Sequence, residues 1–240
     1  MKNLIAAIQF ITILPAGKKN YFEPNKMLPY FPVVGLILGL ILALSDILFL
    51  LFWNNLTAAV LDVVLLLILT GAFHIDGLGD TADGLFSHRS KEKALLIMKD
   101  SRIGIMGLIA VLCGLSIKCC GILAIDTHRF ILLLIIPSYA RSGALFGIKF
   151  LKYGRVKGTG YAFFNDKLSL LSFWALLFPV TISMLMGFKA VVFNCVFIGV
   201  LFLILFFYKK QINCITGDML GAMIEITESA LFLFAAGGFV

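Results

Sequence analysis

The chain has 240 residues, of which 61% are hydrophobic and only 14% charged, with a formal net charge of +7. A soluble domain carries about 25% charged and about 45–50% apolar residues, and a chain of this length still needs a polar surface to meet water. A soluble enzyme, a disordered regulator and a nucleic-acid-binding module are therefore excluded, and the 23 phenylalanines point to a polytopic membrane protein.

A helix needs about 20 apolar residues to cross the hydrocarbon. The first apolar run, 4–14, is short for a span and reads as a re-entrant or interfacial segment; the following Pro15-Ala16-Gly17-Lys18-Lys19 is not a convincing cleavage site for a signal peptide. Runs of spanning size then follow at 33–53, 58–73, 104–125, 130–148, 169–187, 190–208 and 219–239. The run 58–73 leads directly into an acidic stretch, which predicts that its helix continues beyond the apolar part. The expected fold is all-α: an integral membrane helical bundle of seven spans plus the short N-terminal segment, forming one transmembrane domain over 1–240. The five cysteines show no CxxC spacing and lie in or beside apolar runs, so they read as buried thiols.

Loop charge orients the bundle. The loops 15–30, 74–103, 149–168 and 209–218 hold 15 Lys and Arg, whereas the alternating loops 54–57, 126–129 and 188–189 hold 2. Lys and Arg accumulate in cytoplasmic loops, which places the basic loops in the cytoplasm of a prokaryotic plasma-membrane protein.

The 13 acidic residues are unevenly spread. Asp76, Asp80 and Asp83 follow the 58–73 run and, on a helix, lie within about 60° of one another. Like charges at this spacing repel. A solvated acidic loop would tolerate them, but triple alignment at a membrane boundary is costly unless it is used. Hard divalent cations take carboxylate oxygens, and Mg²⁺ uses a few carboxylates together with substrate phosphates. A second group, Asp218, Glu225 and Glu228, stands near the C-terminus; Asp218 and Glu225 are seven apart and share a face, while Glu228 is turned by roughly 80°. Gly217, Gly221 and Ala222 give the same segment a small-residue surface for tight helix contact. Both groups begin on the side assigned to the cytoplasm and are expected to converge on one cavity. Asp46 and Asp62, near span ends, read as ordinary charges, as do the loop residues Glu23, Glu92, Asp126 and Asp166.

The positive complement lies on the same side. Arg102 follows an amphipathic stretch in which Ala94, Leu95, Ile97 and Met98 are expected to lie on the membrane. Arg155 and Lys157 belong to a glycine-rich basic loop, 153–160, able to wrap a phosphate. Arg141 stands inside a span, where a charge is functional or ion-paired. His74 reads as a helix-boundary hydrogen-bonder or a proton carrier. Carboxylates aligned at a membrane surface and opposed by basic loops suit metal-assisted phosphoryl transfer. Phospholipid synthesis, prenyl transfer and another nucleotide-activated coupling all remain compatible with that chemistry. Buried Asp, Glu and Arg also mark ion pathways, and a discontinuity near Gly77 to Gly84 would suit a transporter's broken helix; against this, no inverted repeat is visible and the charged motifs collect on one face.

The stretch His74–Leu85 resembles the signature of the cobalamin synthase family, the adenosylcobinamide-GDP ribazoletransferases. The likeness extends through Phe31-Pro32-Val33-Val34-Gly35, Met98–Gly104 and Thr216–Glu228, in the family's order. Gly79 stands where Ala is usual and Ile105 where a small polar residue is commoner; neither removes a charge. The resemblance implies that α-ribazole or its 5′-phosphate attacks the phosphorus attached to cobinamide in adenosylcobinamide-GDP and GMP leaves, the last step of adenosylcobalamin assembly, with Mg²⁺ as cofactor. By position, Asp76, Asp80 and Asp83 would hold metal and supply the base, and Asp218 and Glu225 would complete the site. His74, Arg102, Arg141, Arg155 and Lys157 are the substrate-binding candidates. The CDP-alcohol phosphatidyltransferases share the aspartate logic but expect Asp-Gly followed by Ala-Arg, whereas Leu78-Gly79-Asp80 follows Asp76-Gly77 here.

The charge asymmetry makes a direct prediction. Single cysteines placed at Ser90 and Gln211 should be labelled only by reagents that reach the cytoplasm; labelling from outside intact cells would reverse the orientation.

Overall fold

The computed structural model describes residues 1–17, 22–155, 158, 160–164 and 168–237. The chain runs through α1 (Lys2–Ile11), α2 (Pro24–Met27), α3 (Phe31–Phe52), α4 (Asn55–Thr70), α5 (Phe73–Leu85), α6 (Lys91–Ile97), α7 (Ile105–Leu123), α8 (Arg129–Phe150), α9 (Leu177–Ser183), α10 (Lys189–Gln211) and α11 (Gly217–Ala236). Among the described residues, five helices are long and apolar enough to cross a membrane: the continuous stretch Pro24–Phe52 containing α3, and α7, α8, α10 and α11. The bent pair α4–α5 makes a sixth if it is counted as one span.

The expected seven spans are thus not all present as continuous helices. The run 169–187 is divided into the 3₁₀ helix Leu170–Leu176, α9 and the 3₁₀ turn Met184–Met186, and falls short of a spanning helix. With 10 residues, α1 is about 15 Å long, half the hydrocarbon thickness of about 30 Å. The helix after 58–73 does not continue into the acidic stretch either. Gly71 and Ala72 both adopt left-handed backbone, at φ +59° and +56°, and α5 leaves α4 at 91°. Consecutive left-handed residues cannot prolong a right-handed helix, so the break falls at Gly71-Ala72 and not among the later glycines.

Two helices form the interior. In the spanning window of α8, 83% of residues are buried, and 67% in α11, against 22% in α7 and 33% in α10. The outer helices present Leu44 and Leu48 (α3), Leu112 (α7), and Phe202 and Phe206 (α10) outward. An apolar surface so extensive would aggregate in water; in a bilayer it is the solvated surface. Cys113, Cys120 and Cys195 also lie on the outside, and only Cys214 is buried in the bundle, so the buried-thiol expectation holds for that one residue.

Helix α3 lies directly against α8. A Cβ at Gly39 would stand 1.9 Å from the Leu134 carbonyl oxygen, and one at Gly35 would stand 2.4 Å from the Ser138 Cα. Ser138 Oγ donates to the Pro32 carbonyl at 2.7 Å, closing a polar contact across the crossing. Further along, Arg129 donates from Nε and Nη2 to the two Asp46 oxygens at 2.8 and 2.6 Å, with Asp62 3.7 Å from Nη2. This ties α3, α4 and the start of α8, and gives Asp46 and Asp62 the structural role expected of ordinary span-end charges.

Gly39→Ala should prevent α3 from seating on α8, abolishing the monodisperse elution of the detergent-solubilised protein. Gly199→Ala, where nothing lies within 4 Å, should elute as the wild type.

Candidate active site

Helix α5 carries its acids on one side and its packing surface on the other. Asp76 is exposed, Asp80 and Asp83 are half-buried, and His74, Gly77, Leu78, Thr81 and Ala82 are buried. The buried side lies on α11: a Cβ at Gly77 would stand 2.6 Å from the Asp218 carbonyl oxygen, and one at Gly221 3.3 Å from the His74 Cα. These glycines therefore bring the two backbones together, and with them the Asp76–Asp83 stripe and Asp218.

Asp218 occupies the first turn of α11, where a carboxylate is favoured by the helix dipole. The buried Thr216 caps that turn, its Oγ1 accepting from the Met219 N–H at 3.2 Å. A parallel bridge sets the chain beside it: Gly154 N–H donates to the Ile215 carbonyl and Ile215 N–H to the Lys152 carbonyl, each at 2.9 Å. That bridge delivers Arg155, whose Nη2 lies 2.6 Å from Asp218 Oδ2. Asp80 stands between Asp76 and Asp83 on α5, and it feels the charges of both and of Asp218, with Arg155 opposing them.

Asp83 has a second engagement. Its two oxygens accept from the Gly104 and Gly107 N–H groups, each at 2.7 Å, so it caps the N-terminus of α7. A Cβ at Gly104 or Gly107 would come within 2.4 or 2.3 Å of that carboxylate. The helix α6, expected to rest on the membrane, instead packs Ala94 and Met98 against Gly84 of α5. Arg102 does not pair with the acidic group. Its guanidinium makes two hydrogen bonds to Asp100, at 3.0 and 2.6 Å, and its backbone N–H a third at 3.1 Å; its side chain is 86% exposed, and these bonds hold the Asp100 carboxyl down to about 2. Lys157 lies outside the described residues.

Glu225 and Glu228 are deeper and belong to another arrangement. Lys118 Nζ of α7 lies 2.6 Å from a carboxylate oxygen of each, and Arg141 of α8 pairs with Glu228. All four are buried, and two cations offset two anions, as burial of charge requires. The field of this network reaches His74, whose Nδ1 is buried without a hydrogen-bond partner. Arg141 is thus the ion-paired span residue that its position implied. Lys118 was not among the site candidates, although a lone lysine inside an apolar span obliges a carboxylate partner.

A narrow apolar cleft of about 40 Å³ adjoins the acidic group. It is walled by Phe10, Phe31, Phe73 and Phe163, with His74 and Gly217 at its side. Gly217 immediately precedes Asp218.

Among the described residues, no three His, Cys, Asp or Glu side chains are arranged to hold a metal ion by themselves. The donors still suit Mg²⁺, which binds through one or two carboxylates plus substrate phosphates and not in an all-protein cage. Asp76, Asp80 and Asp218 are the hard oxygen donors grouped around Asp80, whereas Asp83 is engaged by α7 and Glu225 by Lys118.

Lys118→Met would leave two buried carboxylates facing one arginine. It should cost about 3–5 kcal/mol in detergent unfolding, and the double change Lys118→Met with Glu225→Gln should recover most of that loss; equal instability of both variants would refute the charge-balance account.

Comparison with known proteins matches residues 3–236 to the family model described as cobalamin-5-phosphate synthase. Relatives named adenosylcobinamide-GDP ribazoletransferase include those of Alkaliphilus metalliredigens, 35% identical over 98% of this chain and 94% of the relative, and Clostridioides difficile, 32% identical over 98% and 96%. The Clostridium novyi protein of that name is 36% identical over 97% and 96%. No solved structure matches the chain. A match over almost the whole length, including both acidic helices, establishes that the chain belongs to the cobalamin-5-phosphate synthase family.

Proposed function

We propose that the chain is an adenosylcobinamide-GDP ribazoletransferase acting at the cytoplasmic face of the plasma membrane. In the reaction, a ribose hydroxyl of α-ribazole or its 5′-phosphate forms a new O–P bond to the phosphorus attached to cobinamide. The P–O bond to the guanosine phosphate breaks, GMP leaves, and the hydroxyl proton passes to a base.

The observation that supports this reading is the unbalanced charge at the site. Asp76, Asp80, Asp83 and Asp218 are gathered together, and among the described residues the one cation in ion-pair contact with any of them is Arg155. Such a site repels a pyrophosphate until positive charge is added, and divalent ions supply it. Bound Mg²⁺ would neutralise charge on the phosphates as the P–O bond breaks. Asp76 and Asp80, which lack the competing contacts of Asp83, are the residues to hold it, with Asp218 completing the set. Arg155 fixes the Asp218 carboxylate and presents its guanidinium to a phosphate oxygen. Asp83 keeps α7 in register with α5, so that the 100–107 segment edges the site. A carboxylate of the Asp80 group within reach of the acceptor hydroxyl accepts its proton. Orientation follows from the basic loops: the site lies at the ends of α8 and α11 that border the loops 149–168 and 209–218, which carry the excess of Lys and Arg.

Membranes containing the chain should release GMP from adenosylcobinamide-GDP when given α-ribazole and Mg²⁺. Asp80→Asn should lower that rate by at least about 100-fold, the scale of losing a positioned acid–base or electrostatic group, while the protein elutes from detergent unchanged. Near-normal turnover of Asp80→Asn at limiting Mg²⁺ would remove Asp80 from the reaction.

A further inference from the structure

Arg155 meets Asp218 only if the chain that carries it is held against the start of α11, and Tyr153 touches both segments. Its backbone forms the parallel bridge with Ile215, and its neighbours Lys152 and Gly154 make the two hydrogen bonds of that bridge. Its half-buried side chain lies among glycines. A Cβ at Gly158 would stand 2.6 Å from the phenol oxygen. One at Gly160 would stand 3.1 Å from the ring Cε2, 3.3 Å from the phenol oxygen and 3.3 Å from the Gly217 Cα. The rings of Tyr161 and Phe164 complete the surroundings, with centroids 5.9 and 5.0 Å from that of Tyr153.

Two of these glycines turn peptide N–H groups to the phenol. The N–H groups of Gly160 and Gly217 both act on the Tyr153 hydroxyl. Gly217 is the first residue of α11, and the first N–H groups of a helix have no partner within it. Thr216 takes the Met219 N–H, which leaves the Gly217 N–H facing the phenol oxygen. A phenol oxygen is an acceptor as well as a donor, so one atom serves both segments. Burial, the largest influence on this phenol, raises it above its ordinary value, and Tyr153 therefore stays a neutral hydroxyl at physiological pH. Arg155 and Asp218 are the charged groups that act on it, which sets the hydroxyl beside the ion pair.

Backbone and side chain of Tyr153 thus hold the chain on both sides of Thr216: the bridge holds Ile215, and the hydroxyl holds Gly217. Asp218 follows at once. Arg155 comes two residues after Tyr153 and puts its Nη2 2.6 Å from Asp218 Oδ2. An ion pair of flexible side chains loses conformational freedom to keep one geometry, and fixing both backbones lessens that loss. Resting on the ribazoletransferase reading, we propose that Tyr153 is a positioning residue of the reaction: its hydroxyl registers the Arg155 segment on the first turn of α11, so that the guanidinium is held for the phosphates of adenosylcobinamide-GDP.

Tyr153→Phe keeps the ring and removes the hydroxyl. In full-length protein purified in detergent and assayed with Mg²⁺, it should raise the KM for adenosylcobinamide-GDP about tenfold, the scale of leaving N–H groups unpaired, and leave the KM for α-ribazole within about twofold. In an Arg155→Ala background the same change should alter either KM by less than about twofold, because a residue that acts through Arg155 then has nothing to position. If Tyr153→Phe does not elute as the wild type, Gly160→Ala carries the test. Its methyl would press on the Tyr153 ring and the Gly217 Cα with the hydroxyl intact, and it should give the same split between the substrates. An unchanged KM for adenosylcobinamide-GDP, an equal rise for both substrates, or the full effect persisting in the Arg155→Ala background overturns the positioning role and leaves the proposed activity standing. If the wild type turns over neither substrate, the activity reading fails instead, and hydrogen exchange decides on Tyr153. Exchange of the 215–219 amides at least about tenfold faster in Tyr153→Phe would uphold its hold on α11, whereas unchanged exchange would reject it.

Discussion

Charge removed from water has to be balanced, and the arrangement of this bundle follows from where that balance is met and where it is not. Deep among α7, α8 and α11, Lys118 and Arg141 face Glu225 and Glu228, two cations to two anions. Removing any one member would strand a charge where solvation cannot compensate, so the three helices are bound to one relative placement. Nearer the end of the bundle, Asp76, Asp80 and Asp83 share one side of α5, which packs on the start of α11, where Asp218 pairs with Arg155. The contrast is one of charge balance: the neutral network holds helices, while the acids of α5 and Asp218 leave an excess of negative charge among the described residues.

Close backbone approach translates that rigid interior into the geometry of the site. Gly77 and Gly221 let α5 lie on α11, and Gly104 and Gly107 leave room for the Asp83 carboxylate at the start of α7. The bridge between 152–154 and 215 then adds Arg155. Segments from three regions of the chain meet here because side chains are missing at the contact points. A site assembled this way has its carboxylates on helices, whose positions are less variable than those of loops.

Polar and apolar surfaces are neighbours at this end of the bundle. Asp218, paired with Arg155, stands directly after Gly217, and Gly217 also lines the small phenylalanine cleft.

Hydropathy and helical period are local properties, and what depends on them was legible in the chain. The membrane class, the positions of α3, α7, α8, α10 and α11, and the alignment of Asp76, Asp80 and Asp83 on one helix side all follow from composition and spacing. The meeting of Asp218 with that stripe was also foreshadowed, since both acids stand at the ends of apolar runs that border basic loops. Other features depended on partners distant in sequence. Glu225 shares a helical side with Asp218, yet it turns to Lys118, 107 residues away, because a lysine buried in the bundle requires a carboxylate partner. Asp83 carries the same charge as Asp80, but the free N–H groups of α7 lie in front of it. The 91° turn after Thr70 and the convergence of Phe10, Phe31, Phe73 and Phe163 had no local signature. A sequence by itself sets which groups must find a partner; only the packed helices decide which partner each one meets, since that choice is made by distance and burial in three dimensions.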